Sequence, residues 1–298
     1  MFIAVIAAMI FTAQAAFCAE IPAPSYSDVP YADLSESQVC NIYLPKSADK
    51  GKFPAIILVH GGGFAFGTQN DKLIQPVIRK ALANGYAVAS VDYRKSSETV
   101  FPGALADVKF FVRWLKSQAE KYNLDTDNIT IWGESAGAYI SIMTKLTPDS
   151  EFLDGDMTGN MNYSSSVKNL VSFYAPVEFY TMDDEFRALN LPECANHNEA
   201  GSFESKYIGQ SLNKDKDITY KTYWETYAKN QKVSGKIWIQ AGTNDKNVPF
   251  TQSKNLSERL NAENVRYSLI EGAGHMDAAF YSDENLDAIF AFLACLND

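Results

Sequence analysis

The sequence has 298 residues, 46% of them hydrophobic, which is enough apolar material for the core of one large α/β domain. Its formal net charge is −10 at pH 7. A protein that binds the phosphate backbone of a nucleic acid needs a basic face. The charge therefore argues against a nucleic-acid partner, and solubility is its ordinary explanation.

Residues 1–19 have the features of a secretory signal peptide. The stretch is apolar and ends in small residues, with Ala13 and Ala15 spaced as at a signal-peptidase site. It is short and interrupted by polar residues, which is unfavourable for a membrane span. The sequence thus predicts a secreted or periplasmic protein without a membrane partner, and the absence of a basic start leaves a retained anchor open. The bulky Phe17 disfavours a lipid anchor on Cys18.

Residues 20–298 are predicted to form one catalytic domain of the α/β class. After a leader at 21–31, short β-branched or aliphatic runs alternate with segments of helical period. This pattern is typical of a mostly parallel central sheet with helices on both faces. Several predicted strands are apolar on both sides, as strands covered by helices should be. The predicted strands are 55–59, 87–91, 129–132, 170–174, 237–241 and 266–270.

Helical period predicts sheet-covering helices at 104–122, 138–146, 250–260 and 286–296. In the first of these, a stripe of apolar residues faces the sheet, and Lys109, Arg113 and Lys116 are predicted to face solvent.

An aromatic, charged and irregular stretch at 178–227 breaks the alternation of strands and helices. Insertions of this kind commonly lie beside the carboxyl ends of the strands, where ligands bind. The stretch is predicted to be a cap or lid; ordinary helices that pack their aromatic side chains into the core are the alternative.

The cysteines Cys40, Cys194 and Cys295 are far apart and show no CxxC or Cys/His metal spacing. Isolated thiols and no metal site are therefore predicted. A single disulfide among the three stays open for an exported protein.

Gly133, Ser135 and Gly137 form a GxSxG motif between the predicted strand 129–132 and the predicted helix 138–146. In this context the motif is typical of a sharp, strained turn that exposes the serine hydroxyl above the sheet. Ser135 is the predicted nucleophile.

A serine hydroxyl needs a neighbouring base to take its proton, and the chain has three histidines. His275 lies in a glycine-rich loop after the last predicted strand and is the predicted base. His197, in the irregular insertion, is predicted to be exposed at the surface. His60 is predicted to be structural and to hold the loop that follows it.

The base needs an acid that fixes its tautomer. Asp245 follows the predicted strand 237–241, so it emerges at the same sheet edge as Ser135 and His275. The three residues occur in the chain order nucleophile, acid, base. Asp277 is the alternative acid, but it is only two residues from the histidine and poorly placed to reach the far ring nitrogen.

Acyl transfer also needs donors for the charge that develops on the carbonyl oxygen. His60, Gly61, Gly62 and Gly63 form an HGGG pattern directly after the first predicted strand. Gly62, Gly63 and Ala136, at the start of a helix, are the predicted oxyanion-hole donors, whereas the part played by Gly61 stays open. A flexible turn is the alternative interpretation of HGGG alone.

Together these motifs, with Asp92, Tyr93 and Arg94 after the predicted strand 87–91, resemble the carboxylesterase and hormone-sensitive-lipase-like branch of the α/β hydrolases. The resemblance spans roughly residues 40–296. Within that branch, the tract 101–115 and the short insertion resemble bacterial acetyl, feruloyl and related carbohydrate-ester esterases. The chain departs from the pattern after Arg94, where Lys-Ser-Ser-Glu replaces the usual Leu-Ala-Pro-Glu, and at the residue after the nucleophile motif, where many relatives have a second glycine.

The hypothesis is two-step ester hydrolysis through an acyl-enzyme, with no metal or organic cofactor. A small-molecule or polysaccharide-linked ester is the expected substrate, and acetyl or hydroxycinnamoyl esters of plant polysaccharides are favoured over general short-chain esters. A serine peptidase and a non-catalytic binding protein on a hydrolase scaffold are alternatives, and the sequence does not indicate the oligomeric state. Candidates for the substrate pocket, beside the motif loops, are Phe64, Phe66, Tyr139 and Tyr174.

Overall fold

A computed structural model of the protein describes residues 22–46, 51–148, 150–228 and 231–295. The predicted signal peptide at 1–19, with the candidate lipidation site Cys18, lies outside these residues. Among the described residues, no helix is both long enough and apolar enough to cross a membrane.

The described strands form one eight-stranded sheet in the spatial order β1-β2-β4-β3-β5-β6-β7-β8. β2 runs antiparallel to both β1 and β4, whereas every other neighbouring pair is parallel. This confirms the predicted α/β class with a mostly parallel sheet. The strands are β1 (Tyr26–Pro30), β2 (Val39–Tyr43), β3 (Phe53–Val59), β4 (Ala87–Val91), β5 (Leu124–Glu134), β6 (Asn169–Phe173), β7 (Val233–Gly242) and β8 (Ala262–Ile270).

The central strands are buried because helices cover both faces of the sheet. All five residues of β4 and all five of β6 are buried. In β3, Ile57 packs into one hydrophobic cluster, whereas Ile56 and Leu58 pack into a second. Successive side chains of a strand point to opposite faces, so one continuous apolar run supplies both cores.

Within the described residues the helices are α1 (Gln75–Ala83), α2 (Gly103–Ser117), α3 (Ala119–Tyr122), α4 (Ala136–Leu146), α5 (Met182–Ala188), α6 (Phe203–Ile208), α7 (Lys216–Tyr220), α8 (Glu225–Ala228), α9 (Phe250–Arg259) and α10 (Asp283–Ala294). The helices α2 and α4 contribute to the first cluster, and α1 and α10 contribute to the second.

The sequence patterns miss β1, β2 and α1, and they join α2 and α3 into one helix at 104–122. The structure ends α2 at Ser117 and begins α3 at Ala119. β1 lies at the edge of the sheet and is mostly exposed, so its sequence carries no apolar alternation.

The predicted solvent face of α2 is covered, so the prediction for Lys109 and Arg113 is wrong: both side chains are buried. Asp154, in the short turn Glu151–Asp154, accepts a hydrogen bond from Arg113 at 2.6 Å and lies 3.3 Å from the Lys109 ammonium. Cationic side chains on one face of a helix can be buried when a distant segment packs over them and supplies a carboxylate partner.

The insertion at 178–227 contains the short helices α5 to α8. Its side chains Phe179, Phe186, Tyr207 and Trp224 are buried, as ordinary core-packing helices would have them. Other residues of the same stretch remain at the surface. Its role as a lid stays a prediction.

Cys40, Cys194 and Cys295 are free thiols, as the sequence favoured. The described part of the chain also holds no group of three or more His, Cys, Asp or Glu side chains arranged to bind a metal ion.

Candidate active site

Ser135 occupies the sharp turn between β5 and α4. Its backbone angles are φ 51° and ψ −124°, a conformation that residues other than glycine rarely adopt. A Cβ atom on Gly137 would lie 2.2 Å from the carbonyl oxygen of Val59, and one on Gly133 would lie 2.3 Å from the carbonyl oxygen of Gly137. The two glycines of the motif are therefore required by the close approach of backbone segments around the serine.

Ser135, Asp245 and His275 form a hydrogen-bonded row. The Nε2 atom of His275 lies 2.9 Å from Ser135 Oγ, and its Nδ1 atom lies 2.7 Å from Asp245 Oδ2. The three residues follow β5, β7 and β8, which are parallel and therefore end at the same edge of the sheet. Residues up to 140 positions apart in the chain are brought into contact in this way.

The partners of Asp245 fix its orientation. Its carboxylate is buried, and its Oδ1 atom accepts hydrogen bonds from the N–H groups of Asn247 at 2.8 Å and Val248 at 2.9 Å. A carboxylate only accepts hydrogen bonds, so His275 Nδ1 carries the proton and Nε2 of the neutral ring can accept the serine proton. The alternative acid, Asp277, instead accepts a hydrogen bond from the Ala279 N–H at 2.9 Å.

Gly62, Gly63 and Ala136 line the same cavity as Ser135. The two glycines have φ angles of 100° and 59°. Ala136 is the first residue of α4, and the amides of a first turn have no acceptor within their own helix. The Ser135 N–H, by contrast, donates to the Phe173 carbonyl at 3.0 Å.

His60 is fully buried, and its contacts fix the glycine loop that follows it. Its Nε2 atom lies 2.9 Å from Asp92 Oδ1, and the Tyr93 ring stacks on its own ring at 4.4 Å. The Tyr93 hydroxyl donates to the His60 carbonyl at 2.9 Å. Lys95 stands where the carboxylesterase and hormone-sensitive-lipase-like branch usually has leucine. Its ammonium group donates to the Asp92 carboxylate and to the Tyr93 carbonyl oxygen. The Asp-Tyr pair after β4 thus positions the HGGG loop.

Behind the nucleophile, Glu134 is buried together with two tyrosines. Its carboxylate accepts hydrogen bonds from the hydroxyls of Tyr174, at 3.0 Å, and Tyr281. Burial raises the pKa of Glu134 to about 7. The Tyr174 ring also lies 4.7 Å from the His275 ring, so this cluster touches both the nucleophile turn and the histidine loop.

The predicted pocket residues divide into two pairs. Phe64 and Phe66 line the cavity above Ser135, whereas Tyr139 and Tyr174 do not. Tyr139 is buried and its hydroxyl donates to the carbonyl of Thr222, 83 residues away. The prediction for the two tyrosines is therefore corrected: they are core residues behind the site rather than walls of the cavity.

The cavity has a volume of about 590 Å³, a usual size for a small-molecule site. Lys246 and Met276 belong to its lining, and their positions next to Asp245 and His275 could have suggested this. No local signal in the sequence identifies the lining residues that the insertion contributes. They are Asn196, His197, Glu199, Gly201, Ser202, Phe203, Glu204 and Lys206.

His197 is buried, so its predicted surface exposure is wrong. Its Nδ1 atom lies 3.0 Å from Asp183 Oδ1, and its Nε2 atom lies 2.9 Å from the carbonyl oxygen of Asn247. The insertion folds back onto the loop that carries Asp245, and this contact covers the ring.

The fold and the arrangement of the site define the class: the chain has the α/β-hydrolase fold. The BD-FAE family model matches residues 40–260, about three quarters of the chain, and the chain belongs to this family.

Esterase LipQ of Mycobacterium tuberculosis is among the similar proteins and is 26% identical over 256 residues. The match covers 84% of this chain and 56% of LipQ. The chain spans only 38–58% of the length of the mycobacterial proteins LipM, LipQ and LipC. Among solved structures, the bifunctional GH43-CE protein of Bacteroides eggerthii is 25% identical, with a TM-score of 0.79 over 90% of this chain and 35% of that one. A truncated carbohydrate esterase from gut microbiota is 24% identical, with a TM-score of 0.79 over 92% of this chain and 96% of that one.

Proposed function

We propose that this protein is a serine carboxylic-ester hydrolase in which Ser135 is the nucleophile, His275 the general base and Asp245 the residue that orients the base. The observation that carries the proposal is the hydrogen-bonded row of these three side chains, with distances of 2.9 and 2.7 Å, in which Ser135 and His275 line an open cavity. Relatives named esterases support ester chemistry.

In the proposed reaction His275 takes the proton of Ser135 as Oγ attacks the ester carbonyl carbon. The amides of Gly62, Gly63 and Ala136 stabilise the negative charge on the carbonyl oxygen. His275 then gives its proton to the leaving alcohol. Water, activated by the same ring, hydrolyses the acyl-enzyme and restores the serine.

The proposed substrates are acetyl or hydroxycinnamoyl esters of plant polysaccharides, and the protein is proposed to act outside the cytoplasm because of the signal-like stretch at 1–19. The fit of the fold to a structure named as a carbohydrate esterase supports this choice. A cavity of about 590 Å³ has room for a sugar ring and a small acyl group. A general short-chain carboxylesterase is the second candidate, favoured by the many relatives named only as esterases.

Replacement of the nucleophile tests the mechanism. We expect Ser135→Ala to lower kcat on p-nitrophenyl acetate by about 10⁴- to 10⁶-fold and to abolish labelling by a fluorophosphonate. Ser164→Ala, at an exposed serine that does not line the cavity, is the matched control and should keep both properties. More than a tenth of the activity remaining in Ser135→Ala would refute the assignment.

A substrate panel tests the proposed class. Acetylated xylan and methyl ferulate are compared with p-nitrophenyl esters of rising chain length and with an aminoacyl anilide. Turnover of a polysaccharide ester supports the first candidate. Turnover of the short p-nitrophenyl esters alone supports the second, and preference for the anilide would indicate a peptidase.

A further inference from the structure

Two buried polar side chains of the insertion line the cavity that contains Ser135. His197 and Glu204 are each only 7% exposed, and we call these two residues the polar wall. Burial raises the pKa of the Glu204 carboxyl, and the nearby His197 ring and Ser202 hydroxyl act in the opposite direction. An ionisable carboxyl is thus held in a desolvated position at the edge of the cavity, where nothing in the proposed acyl transfer uses it.

The carboxylate of Glu204 keeps unused capacity to accept hydrogen bonds. A carboxylate has about four acceptor positions, and those of Glu204 meet the Ser202 hydroxyl and its own backbone N–H. Desolvated acceptors that lack partners are costly, so a ligand with hydroxyl donors gains by filling them.

Two aromatic rings beside the polar wall remain exposed. Phe66 is 65% exposed and Phe203 is 43% exposed, and their rings meet edge to face at 6.0 Å; we call this pair the aromatic rim. A Cβ atom on Gly63 would lie 2.7 Å from the Phe203 ring, so the rim borders the oxyanion loop directly. Exposed aromatic rings at the mouth of a cavity favour a ligand with a flat apolar face.

The charges of the cavity lining favour a neutral ligand. The carboxylates of Glu199 and Glu204 are balanced by the ammonium groups of Lys206 and Lys246. A strongly cationic or anionic substrate would meet as much repulsion as attraction there. A neutral ring that carries hydroxyl groups on its edge and C–H groups on its face matches both surfaces, and this is the chemistry of a sugar.

We propose that Glu204 of the polar wall and the aromatic rim together bind the sugar ring of the leaving alcohol, and that His197, whose two ring nitrogens already have partners, positions the wall. This proposal rests on the proposed function and extends it to the alcohol side of the substrate. The polar wall is attached to the acid–base loops, because His197 Nε2 contacts the carbonyl oxygen of Asn247, two residues after Asp245. The leaving alcohol takes its proton from His275, so it occupies that side of the cavity.

The test compares two esters with the same acyl group and different alcohols, namely monoacetylated xylobiose and p-nitrophenyl acetate. For Glu204→Gln, we expect the ratio of kcat/KM for the sugar ester to kcat/KM for the nitrophenyl ester to fall by about tenfold, because one acceptor oxygen is replaced by an NH₂ group that cannot accept a hydroxyl proton. Phe66→Ala should lower the same ratio severalfold. Glu193→Gln, on the same insertion, and Phe152→Ala, an exposed phenylalanine elsewhere, are the matched controls and should keep the wild-type ratio.

A binding measurement supplies a readout that does not depend on turnover. Calorimetric titration of Ser135→Ala with free xylobiose should give a Kd that rises about tenfold when Glu204→Gln is added. If Glu204→Gln fails to fold, Phe66→Ala alone tests the subsite, because its side chain is exposed and contributes little to the core.

An unchanged ratio in both Glu204→Gln and Phe66→Ala, or failure of the wild-type protein to cleave the sugar ester, would overturn the subsite. In either case, Ser135-dependent hydrolysis of p-nitrophenyl acetate would leave the proposed esterase function intact. Activity that survives in Ser135→Ala would instead overturn the function itself.

Discussion

The sheet with its strand-end loops and the insertion at 178–227 contribute to the same cavity in different ways. The sheet ends hold Ser135, Asp245 and His275 in direct hydrogen bonds, and buried partners such as Asp92 and Tyr93 hold the glycine loop. The insertion supplies part of the surrounding wall, and the strand-end loops supply the rest, including Phe66. We therefore propose that the sheet ends hold the reacting side chains and that the insertion, together with the loop of Phe66, selects the substrate.

One glycine from each region shows how different the space for a side chain can be. A Cβ atom on Gly137 would collide with the carbonyl oxygens of Val59 and His60, at 2.2 and 2.3 Å, whereas one on Gly201 of the insertion would meet no atom within 4 Å. The insertion is closely packed at another point, because a Cβ atom on Gly209 would lie 2.8 Å from Val100. Changes in the sheet region should therefore affect folding and rate, and changes in the insertion should mainly affect which ester is preferred. Three measurements test this division.

The largest effect is expected for Asp245→Asn. An amide at this position allows the His275 ring to take the wrong tautomer, so kcat should fall by about 10⁴-fold with little change in the stability of the fold. Steady-state kinetics on p-nitrophenyl acetate and a thermal melt measure the two quantities. The control is Asp277→Asn, which removes the alternative acid and should change kcat by no more than severalfold. Equal losses in the two variants would contradict the assigned acid.

A smaller effect, on stability, is expected from Gly137→Ala. The added methyl group has no space between Val59 and His60, so the free energy of unfolding should drop by more than about 3 kcal/mol. Gly201→Ala, in the insertion, should change it by less than about 1 kcal/mol. Urea titration of both variants measures the difference. Similar losses at the two positions would show that the chain is as closely packed around Gly201 as around Gly137.

The smallest effect is expected from the pH dependence of stability that Glu134 imposes. Its pKa is raised from 4.5 to about 7 in the folded protein, so between these values the folded state holds a proton that the unfolded chain releases. The stability from the neutral carboxyl is therefore complete below pH 4.5 and is lost as pH rises through 7. Between pH 4.5 and 8, the wild-type protein should lose on the order of 3 kcal/mol relative to Glu134→Gln.

Urea titrations of the wild-type protein and of Glu134→Gln at both pH values give this difference directly. Glu36→Gln is the control, because that carboxylate is exposed on the surface. A difference that is constant with pH would mean that Glu134 is ionised in the fold throughout this range.

The sequence determined the elements whose causes lie within a few neighbouring residues. The apolar run of β4 gave its bounds at 87–91, and the GxSxG and HGGG patterns located the turn and the loop that the structure places beside one cavity. Local apolar runs of this kind predict where a strand ends. In a parallel sheet, the carboxyl ends of the strands lie at one edge. This is why the chain order of Ser135, Asp245 and His275 was enough to expect their approach.

Which side chains are buried depends on how distant segments of the chain fold together. His197 and Lys109 are polar and carry no local sign of burial, yet segments distant in the chain return to pair with them. Tyr139 adjoins the nucleophile in sequence but turns to Thr222 in the core, whereas Glu204 lines the cavity. Burial depends on contacts between residues far apart in the chain, and neither periodicity nor short motifs contain that information.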